Sequence, residues 1–236
     1  MITYVILLIA VVVLGVPSVI IVNKYPKTRT IFGVFFLIVI VLFSFLLVKN
    51  INKPISFDKE VEKRQDVTIE KLKDIRTIQV SYKDKYGKYT GGFDSLITFV
   101  KSDSFEIKKE VIVGKWNQDE MSKEQALKAG IIQVSSSFIP VKDSLWKDKD
   151  YTIETIKFVP FVDKLEFSMA AGELETASKV KVKVFECYAK YEDLYGDLDE
   201  QLLINYIDLK TKYGAFEGIK VGSLTEATNN AGNWEQ

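Results

Sequence analysis

Two long runs without a charged residue occupy most of the first 50 positions of the chain. They extend from Ile2 to Val22 and from Ile31 to Val48, and all 32 acidic residues follow residue 50. At a rise of about 1.5 Å per residue, a helix of either length spans about 27–32 Å, which matches the roughly 30 Å hydrocarbon core of a bilayer. The sequence therefore predicts a transmembrane hairpin of two helices over residues 1–50, with the lipid bilayer as a partner.

Three basic residues crowd into the short link between the apolar runs: Lys24, Lys27 and Arg29. Short loops rich in lysine and arginine stay on the cytoplasmic side of a membrane. We therefore expect a multi-pass protein of a bacterial inner membrane, with a periplasmic soluble domain. Neither run carries a charged residue, and ion-conducting or proton-driven proteins need such groups at membrane depth. The hairpin is interpreted as an anchor.

The rest of the chain predicts an α+β architecture. A long stalk helix is expected over residues 51–90, followed by a soluble head domain over residues 91–236. Within the stalk, a break is expected at Pro54, and apolar residues at three- and four-residue steps predict a helix from about Phe57 to Tyr86. Its first half is nearly all polar, which indicates a solvated segment.

The head domain is predicted to contain a mainly antiparallel sheet and two or three short helices. Helices are expected over Phe93–Lys101, Ser122–Lys128 and Asp197–Tyr213, the second opened by a capping box and the third with Leu203 and Leu209 on its apolar face. Strands are expected over Phe105–Val113, Ile131–Ser135, Tyr151–Phe161, Leu165–Ala170, Lys179–Ala189 and Ile219–Val221. In the run from Lys179 to Ala189, three valines alternate with lysines: Val180, Val182 and Val184. They are expected to share one face.

The chain contains no histidine and one cysteine, Cys187. Without histidine, the commonest general base and metal ligand is missing, and a lone cysteine cannot form an intramolecular disulfide. Cys187 lies in an apolar, strand-like run, so a buried and inert thiol is expected. The soluble part is mildly acidic, which argues against nucleic acid as a partner. We therefore expect a non-enzymatic protein without a cofactor.

The densest acidic cluster contains the weak calcium candidates Asp193, Asp197 and Asp199. Its spacing does not match the alternating ligands and the glycine of a calcium loop. Capping of the helix that follows explains Asp197 and Asp199 without an ion. Capping is the favoured interpretation, and no metal site is predicted.

Six aromatic residues are candidates for binding a partner. Such rings combine an apolar body with a polar edge, which suits both interfaces and the borders of a domain core. The candidates are Tyr82, Tyr86, Tyr89, Trp116, Trp146 and Trp234. Semi-buried packing is the more common use of such rings.

Two stretches resemble the pilin-like family, especially the major pseudopilin of type II secretion. The first runs from Leu72 to Thr90, and the matching positions of its final turn are Tyr82, Gly87, Tyr89 and Thr90. The second is the C-terminal segment that begins at Ser223 and ends in Ala231-Gly-Asn-Trp234. It is similar to the pseudopilin ending, in which a calcium-binding loop precedes Gly-Asn-Trp. Here Glu226, Asn229 and Asn230 stand where that family carries several aspartates.

The chain as a whole also resembles envelope proteins of the Bacteroidota. That resemblance implies a location and no activity. The charge-free anchor, the polar helix that begins at the membrane surface and the lack of a catalytic set favour a membrane-anchored, structural or assembly component of a secretion or pilus-like envelope complex. Its periplasmic domain would dock other envelope proteins in a homo- or hetero-oligomer. The alternative hypothesis is a periplasmic ligand-binding or sensory module that recognises glycan or peptide. That alternative predicts a concave aromatic pocket around Trp116 or Trp146.

Overall fold

The computed structural model describes residues 13, 21, 23–25, 27, 29–117 and 121–235. The first apolar run, with Ile2 and Val22, lies almost wholly outside the described residues, and so does the first helix of the predicted hairpin. The chain forms two compact units, Met1–Lys59 and Glu60–Gln236. We call these the first unit and the second unit.

A helix of 58 residues, α1 (Arg29–Tyr86), contains the second apolar run and the predicted stalk as far as Tyr86, four residues before the predicted end. It is long and apolar enough to cross a membrane. The break expected at Pro54 is wrong, because the proline lies inside α1. A proline removes its own N–H bond and its ring crowds the carbonyl group four residues earlier, at a cost of about 3 kcal/mol. A long helix can continue through this position, because the residues on both sides keep their own bonds.

The part of α1 in the second unit is a core element. Leu72, Ile75 and Ile78 are fully buried at three-residue steps, which places them on one face of the helix. Burial begins earlier than the polar sequence indicates, since Arg64 and Thr68 are also buried. The expectation of a solvated first half of the stalk is therefore wrong for these positions, where the side chains hydrogen-bond within the second unit.

Eleven further elements follow α1 among the described residues. The helices are α2 (Phe93–Ser102), α3 (Lys123–Lys128), α4 (Val141–Leu145), α5 (Tyr191–Tyr195), α6 (Glu200–Thr211) and a 3₁₀ helix over Ile153–Thr155. The strands are β1 (Ser104–Ile112), β2 (Ile132–Pro140), β3 (Ser168–Glu175), β4 (Lys181–Lys190) and β5 (Gly218–Gly222). This confirms a mixed helix and sheet fold with a long N-terminal helix.

The strands form two separate antiparallel sheets. Among the described residues β1 and β2 pair only with each other, with Ser104 opposite Pro140 and Ile112 opposite Ile132. We call this pair the β-ribbon. The other sheet has the order β3-β4-β5. In that sheet Cys187 of β4 lies opposite Met169 of β3 and Val221 of β5. The central strand β4 therefore lies at the core of the second unit.

Several local predictions are confirmed. The capping box at the start of α3 is formed, with Ser122 and Gln125 each bonding the other's backbone N–H. Cys187 is buried, and burial raises the pKa of its thiol above the ordinary value. α2, β1, β4 and β5 begin and end within two residues of the predicted bounds. β2 continues beyond the predicted Ser135 to Pro140.

The strand predicted over Tyr151–Phe161 is wrong. This segment contains the 3₁₀ helix, and a single β-bridge joins Phe158 to Glu166. The reason lies outside the segment, since the Lys71 ammonium group of α1 donates to the carbonyl oxygens of Thr155 (3.0 Å) and Phe158 (2.9 Å). Those carbonyl groups are held in a turn and do not join a strand ladder. The strand predicted from Leu165 begins later, at Ser168.

Two predicted apolar faces also need correction. In β4 the buried side chains include Phe185, Cys187 and Ala189. Val180 is exposed and lies one residue before the strand begins. In α6 Leu203 is buried, but Leu209 is 70% exposed. In both cases the apolar pattern continues past the point where the neighbouring elements cover it.

Candidate functional site

The two stretches that carry the pilin-like resemblance contact each other. The Asn230 amide donates to the Tyr89 hydroxyl at 2.7 Å. The Tyr89 ring packs on Phe185 of β4, with 4.9 Å between ring centroids, and the Lys83 ammonium lies 4.9 Å from the Tyr89 ring centroid. Tyr89 is therefore a buried link between the turn after α1 and the C-terminal segment.

The C-terminal segment is fastened to β5 by Asn233. Its side chain accepts from the Lys220 N–H at 3.0 Å and donates to the Gly218 carbonyl at 2.8 Å. The Asn233 backbone N–H donates to the Lys220 carbonyl at 3.0 Å, and Arg76 of α1 pairs with Glu235 at 2.8 Å. We call residues 223–235 the C-terminal clamp, because they hold the edge strand β5 in place.

The conformation of the clamp depends on local backbone geometry. Asn229 and Asn230 both have positive φ, at 53° and 61°, and asparagine tolerates this left-handed region better than most residues. The ring of Trp234 lies so close to Gly232 that an added Cβ would meet it at 2.3 Å. The resemblance places a calcium loop here, but no group of three or more His, Cys, Asp or Glu residues that could hold a metal occurs among the described residues.

A cavity of about 560 Å³ lies beside the clamp. Its lining includes Lys210, Phe216, Lys220, Glu226 and Trp234. The Trp234 indole N–H is buried and has no hydrogen-bond partner among the described residues. With Tyr191, which also lines it, the cavity combines two ammonium groups, a carboxylate and three aromatic rings.

The acidic cluster around α5 and α6 has structural partners. Asp197 forms two hydrogen bonds with Arg64, at 2.5 and 2.8 Å. Arg64 is 7% exposed, and it also donates to Glu60 (3.0 Å) and to the Leu194 carbonyl (2.9 Å). The pair of hydrogen bonds with Arg64 lowers the pKa of the Asp197 carboxyl below its ordinary value.

Asp199 also has a structural role in this cluster. It is the N-cap of α6 and accepts from the Leu202 N–H at 3.0 Å. Asp193 lies in the first turn of α5, and its side chain is exposed. Of the three weak calcium candidates, one therefore pairs with an arginine and one caps a helix, which are the uses that need no ion.

The aromatic candidates separate into buried and accessible rings. Trp146 is 6% exposed; its indole N–H donates to the Tyr151 carbonyl at 2.9 Å, and its ring meets that of Tyr151 edge to face. Tyr89 is also buried. The aromatic pocket expected around Trp146 is therefore not formed there, because this ring fills the core of the second unit.

The remaining candidates lie nearer the surface. Tyr86 is exposed and bonds Asp103 through its hydroxyl, while its ring packs against Tyr82 with 4.6 Å between ring centroids. Trp116 is half-buried and donates to the Met121 carbonyl at 3.0 Å. Trp234 belongs to the C-terminal clamp. The structure thus does not bring the six rings together into one surface.

One accessible group of apolar side chains in the second unit was not identified from the sequence. On the β-ribbon, Phe138 is 68% exposed and Val134 is 47% exposed, and Ile107, Val111 and Ile112 are exposed as well. The sequence of β2 contains an indication of this surface, because its nine consecutive residues carry no charge. An uncharged strand normally belongs inside a sheet, and this one lies at an open edge.

No protein-family model, curated protein or solved structure matches the chain. The features that bear on function are therefore those of the chain itself. They are the apolar segment of α1, the β-ribbon, and the C-terminal clamp with its cavity.

Proposed function

We propose that this chain is a membrane-anchored, non-enzymatic component of a bacterial envelope complex, with a folded domain that docks other envelope proteins. One observation carries the proposal. The same chain contains an uncovered apolar helical segment of membrane length and a folded unit whose β-ribbon exposes apolar side chains. The segment provides an attachment to lipid, and the β-ribbon provides accessible surface for protein partners.

The apolar segment of α1 supports the anchoring role. From Ile31 to Val48, all residues except Gly33 and Ser44 are Ile, Leu, Val or Phe. Each of these four types favours the centre of a bilayer by about 0.3–0.6 kcal/mol. None of the most apolar window of this helix is buried by the rest of the protein. A soluble protein would leave this surface in water at a large free-energy cost.

The finer arrangement is part of the same proposal. The first apolar run forms a second membrane helix, both helices cross a bacterial inner membrane, and the second unit is periplasmic. The support is the basic link with Lys24, Lys27 and Arg29, which favours the cytoplasmic side. The pilin-like resemblance of the turn after α1 and of the clamp supports an envelope location of secretion or pilus-like type.

The topology predicts which engineered thiols are accessible in intact cells. Cys187 is buried, so a cysteine placed at the exposed Ser178 gives a reactive thiol of known position. With the outer membrane permeabilised, we expect S178C to react with a membrane-impermeant maleimide, because it faces the periplasm. T28C in the basic link is the matched control and should react only after lysis. If T28C but not S178C is labelled in intact cells, the orientation is the opposite of the one proposed.

The docking role predicts specific neighbours in the native membrane. The lysine-rich surface of the second unit suits amine-reactive crosslinking followed by mass spectrometry. We expect reproducible crosslinks from this unit to a small, constant set of other envelope proteins. Crosslinks to no other protein would overturn the docking role, whatever number of copies of the chain associate with each other.

The alternative function, a ligand-binding or sensory module for glycan or peptide, has one observation in its favour. The cavity beside the C-terminal clamp has the size of a small-ligand site and a polar and aromatic lining. This alternative has less support than the docking role, because the pocket was expected around Trp116 or Trp146. Trp146 is in the core, and Trp116 does not line this cavity.

A further inference from the structure

We propose that two copies of this chain associate by pairing the outer edges of β2, antiparallel and about a two-fold axis at Ser136. The result is a four-stranded sheet in the order β1-β2-β2-β1. This inference goes beyond the proposed function, because it depends only on the β-ribbon and holds whether or not the chain docks other envelope proteins.

The backbone of β2 is open along its outer edge. Within the part of the chain that the structure describes, β2 pairs with no strand other than β1, and each residue from Gln133 to Pro140 is exposed. At the two ends of the β-ribbon, the Val113 N–H donates to the Ile131 carbonyl (2.8 Å) and the Val141 N–H donates to the Asp103 carbonyl (2.9 Å). The odd-numbered residues of the ribbon therefore bond across to the other strand.

It follows that the even-numbered residues of β2 direct their backbone groups outward. Val134, Ser136 and Phe138 each present one N–H and one C=O to the open edge. A second β2 strand laid antiparallel about Ser136 matches these groups in full. Ser136 then forms two bonds with Ser136 of the second copy, and each Val134 forms two with Phe138 of the second copy.

The side chains of β2 are complementary to themselves in this register. On one face Val134 lies opposite Phe138 of the second copy, so the two most accessible apolar side chains of the strand cover each other. On the other face Ser135 lies opposite Ser137. Directly opposed apolar pairs and hydroxyl pairs both stabilise antiparallel strands.

Charge distinguishes the two edges of the β-ribbon. β1 carries four charged residues in its middle, namely Glu106, Lys108, Lys109 and Glu110, whereas β2 carries none. Charged side chains on an edge strand are a common protection against pairing with another chain. The protected edge is β1 and the unprotected edge is β2, which selects β2 as the pairing strand.

Stability gives a further reason for the association. A two-stranded antiparallel pair with both faces in water is marginally stable, and three or more strands are normally needed. Association through β2 makes each copy supply the strands that the other lacks. The pairing surface is the same on both copies, as a two-fold symmetric interface requires.

The first test is cysteine crosslinking of the full chain in native membranes. In the proposed register the two Ser136 Cα atoms lie about 5.5 Å apart, within the range of a disulfide. Under mild oxidation we expect S136C to form a covalent dimer in most chains. K108C is the matched control, because Lys108 lies opposite Ser136 on the same face but on β1. Its Cα atoms would be about 14 Å apart, three strand spacings, and should not crosslink.

The second test separates pairing from misfolding by a charge exchange. S136K and S136E each place two like charges directly opposite one another in the dimer. We expect each variant alone to lower the co-purification of two differently tagged copies about tenfold. Co-expression of S136K with S136E should restore it, because the opposed charges then attract.

Any one of four results would overturn the inference. Three of them are that S136C does not crosslink, that S136C and K108C crosslink equally, or that the two like-charged variants co-purify as well as the unmodified chain. The fourth is that co-expression of S136K with S136E does not restore co-purification. In that case misfolding of the single variants would explain their loss of association.

Discussion

Replacing Gly222 with alanine is expected to destabilise the second unit by about 3 kcal/mol or more. Gly222 ends β5 with a φ of 72°, a conformation that costs an alanine about 1–2 kcal/mol. An added Cβ would also lie 2.1 Å from the Phe185 carbonyl oxygen, a backbone atom that can move only with β4. β5 must therefore separate from β4, and the C-terminal clamp loses the strand to which it is fastened.

Gly172 provides the matched control for this variant. It lies in β3 of the same sheet, and an added Cβ would have nothing within 4 Å. We expect G172A to change the free energy of unfolding by no more than about 1 kcal/mol, since alanine is favoured over glycine within a strand. The measurement is thermal unfolding of the full chain in detergent, where about 3 kcal/mol corresponds to a drop of roughly 6–12 °C in Tm for a unit of this size. Equal Tm values for the two variants would contradict the described packing of β5.

Replacing Leu72 with alanine is expected to cost about 2–5 kcal/mol of unfolding free energy. Leu72 is fully buried on the face of α1 that enters the core. Removal of three methylene-sized groups loses their transfer free energy and leaves a cavity between rigid neighbours. The expected result is a large drop in the Tm of the second unit, measured by the same thermal unfolding.

Leu209 is the control for Leu72, because both are leucines within helices and differ in burial. Leu209 is 70% exposed on α6, so L209A should stay within about 0.5 kcal/mol of the unmodified protein. A large loss of unfolding free energy for L209A, or no loss for L72A, would show that these helices pack through other faces. The pair also tests the sequence prediction that placed Leu209 on an apolar face.

Local signals in the sequence predicted much of the secondary structure. The capping box at Ser122, the glycine after Tyr86 and the alternation in β4 each act over a few residues, and the corresponding elements are formed. The burial of Cys187 was predictable for the same reason. Cys187 lies among apolar residues of β4, and this strand pairs on both sides.

Contacts between distant residues account for most of what the sequence did not predict. Arg64 pairs with Asp197 across 133 positions, which turns a polar helical segment into part of the core. Lys71 holds the carbonyl groups of Thr155 and Phe158, which keeps an apolar run out of a sheet. A single sequence contains no local sign of either partner, so periodicity alone assigned both segments wrongly.

The candidate functional regions were predictable to different degrees. The resemblance placed Tyr89 and Asn233 in notable segments, and the structure gives both a fastening role. The structure does not support a single aromatic surface, because Trp146 is in the core and Tyr86 is exposed. Both strands of the β-ribbon were predicted, but the exposure of their apolar side chains was not, since that exposure depends on which strands pair, and an apolar strand is normally assigned to the interior.

The C-terminal clamp makes completion of the β3-β4-β5 sheet depend on contacts between distant parts of the chain. Arg76 near the end of α1 meets Glu235 across 159 positions, and Asn233 completes the edge of β5. Contacts of such long sequence separation require the closure of large loops, which slows their formation relative to helices and turns. Until the clamp is in place, the outer edge of β5 is open to pairing with other chains, so slow closure exposes the incompletely folded chain to aggregation.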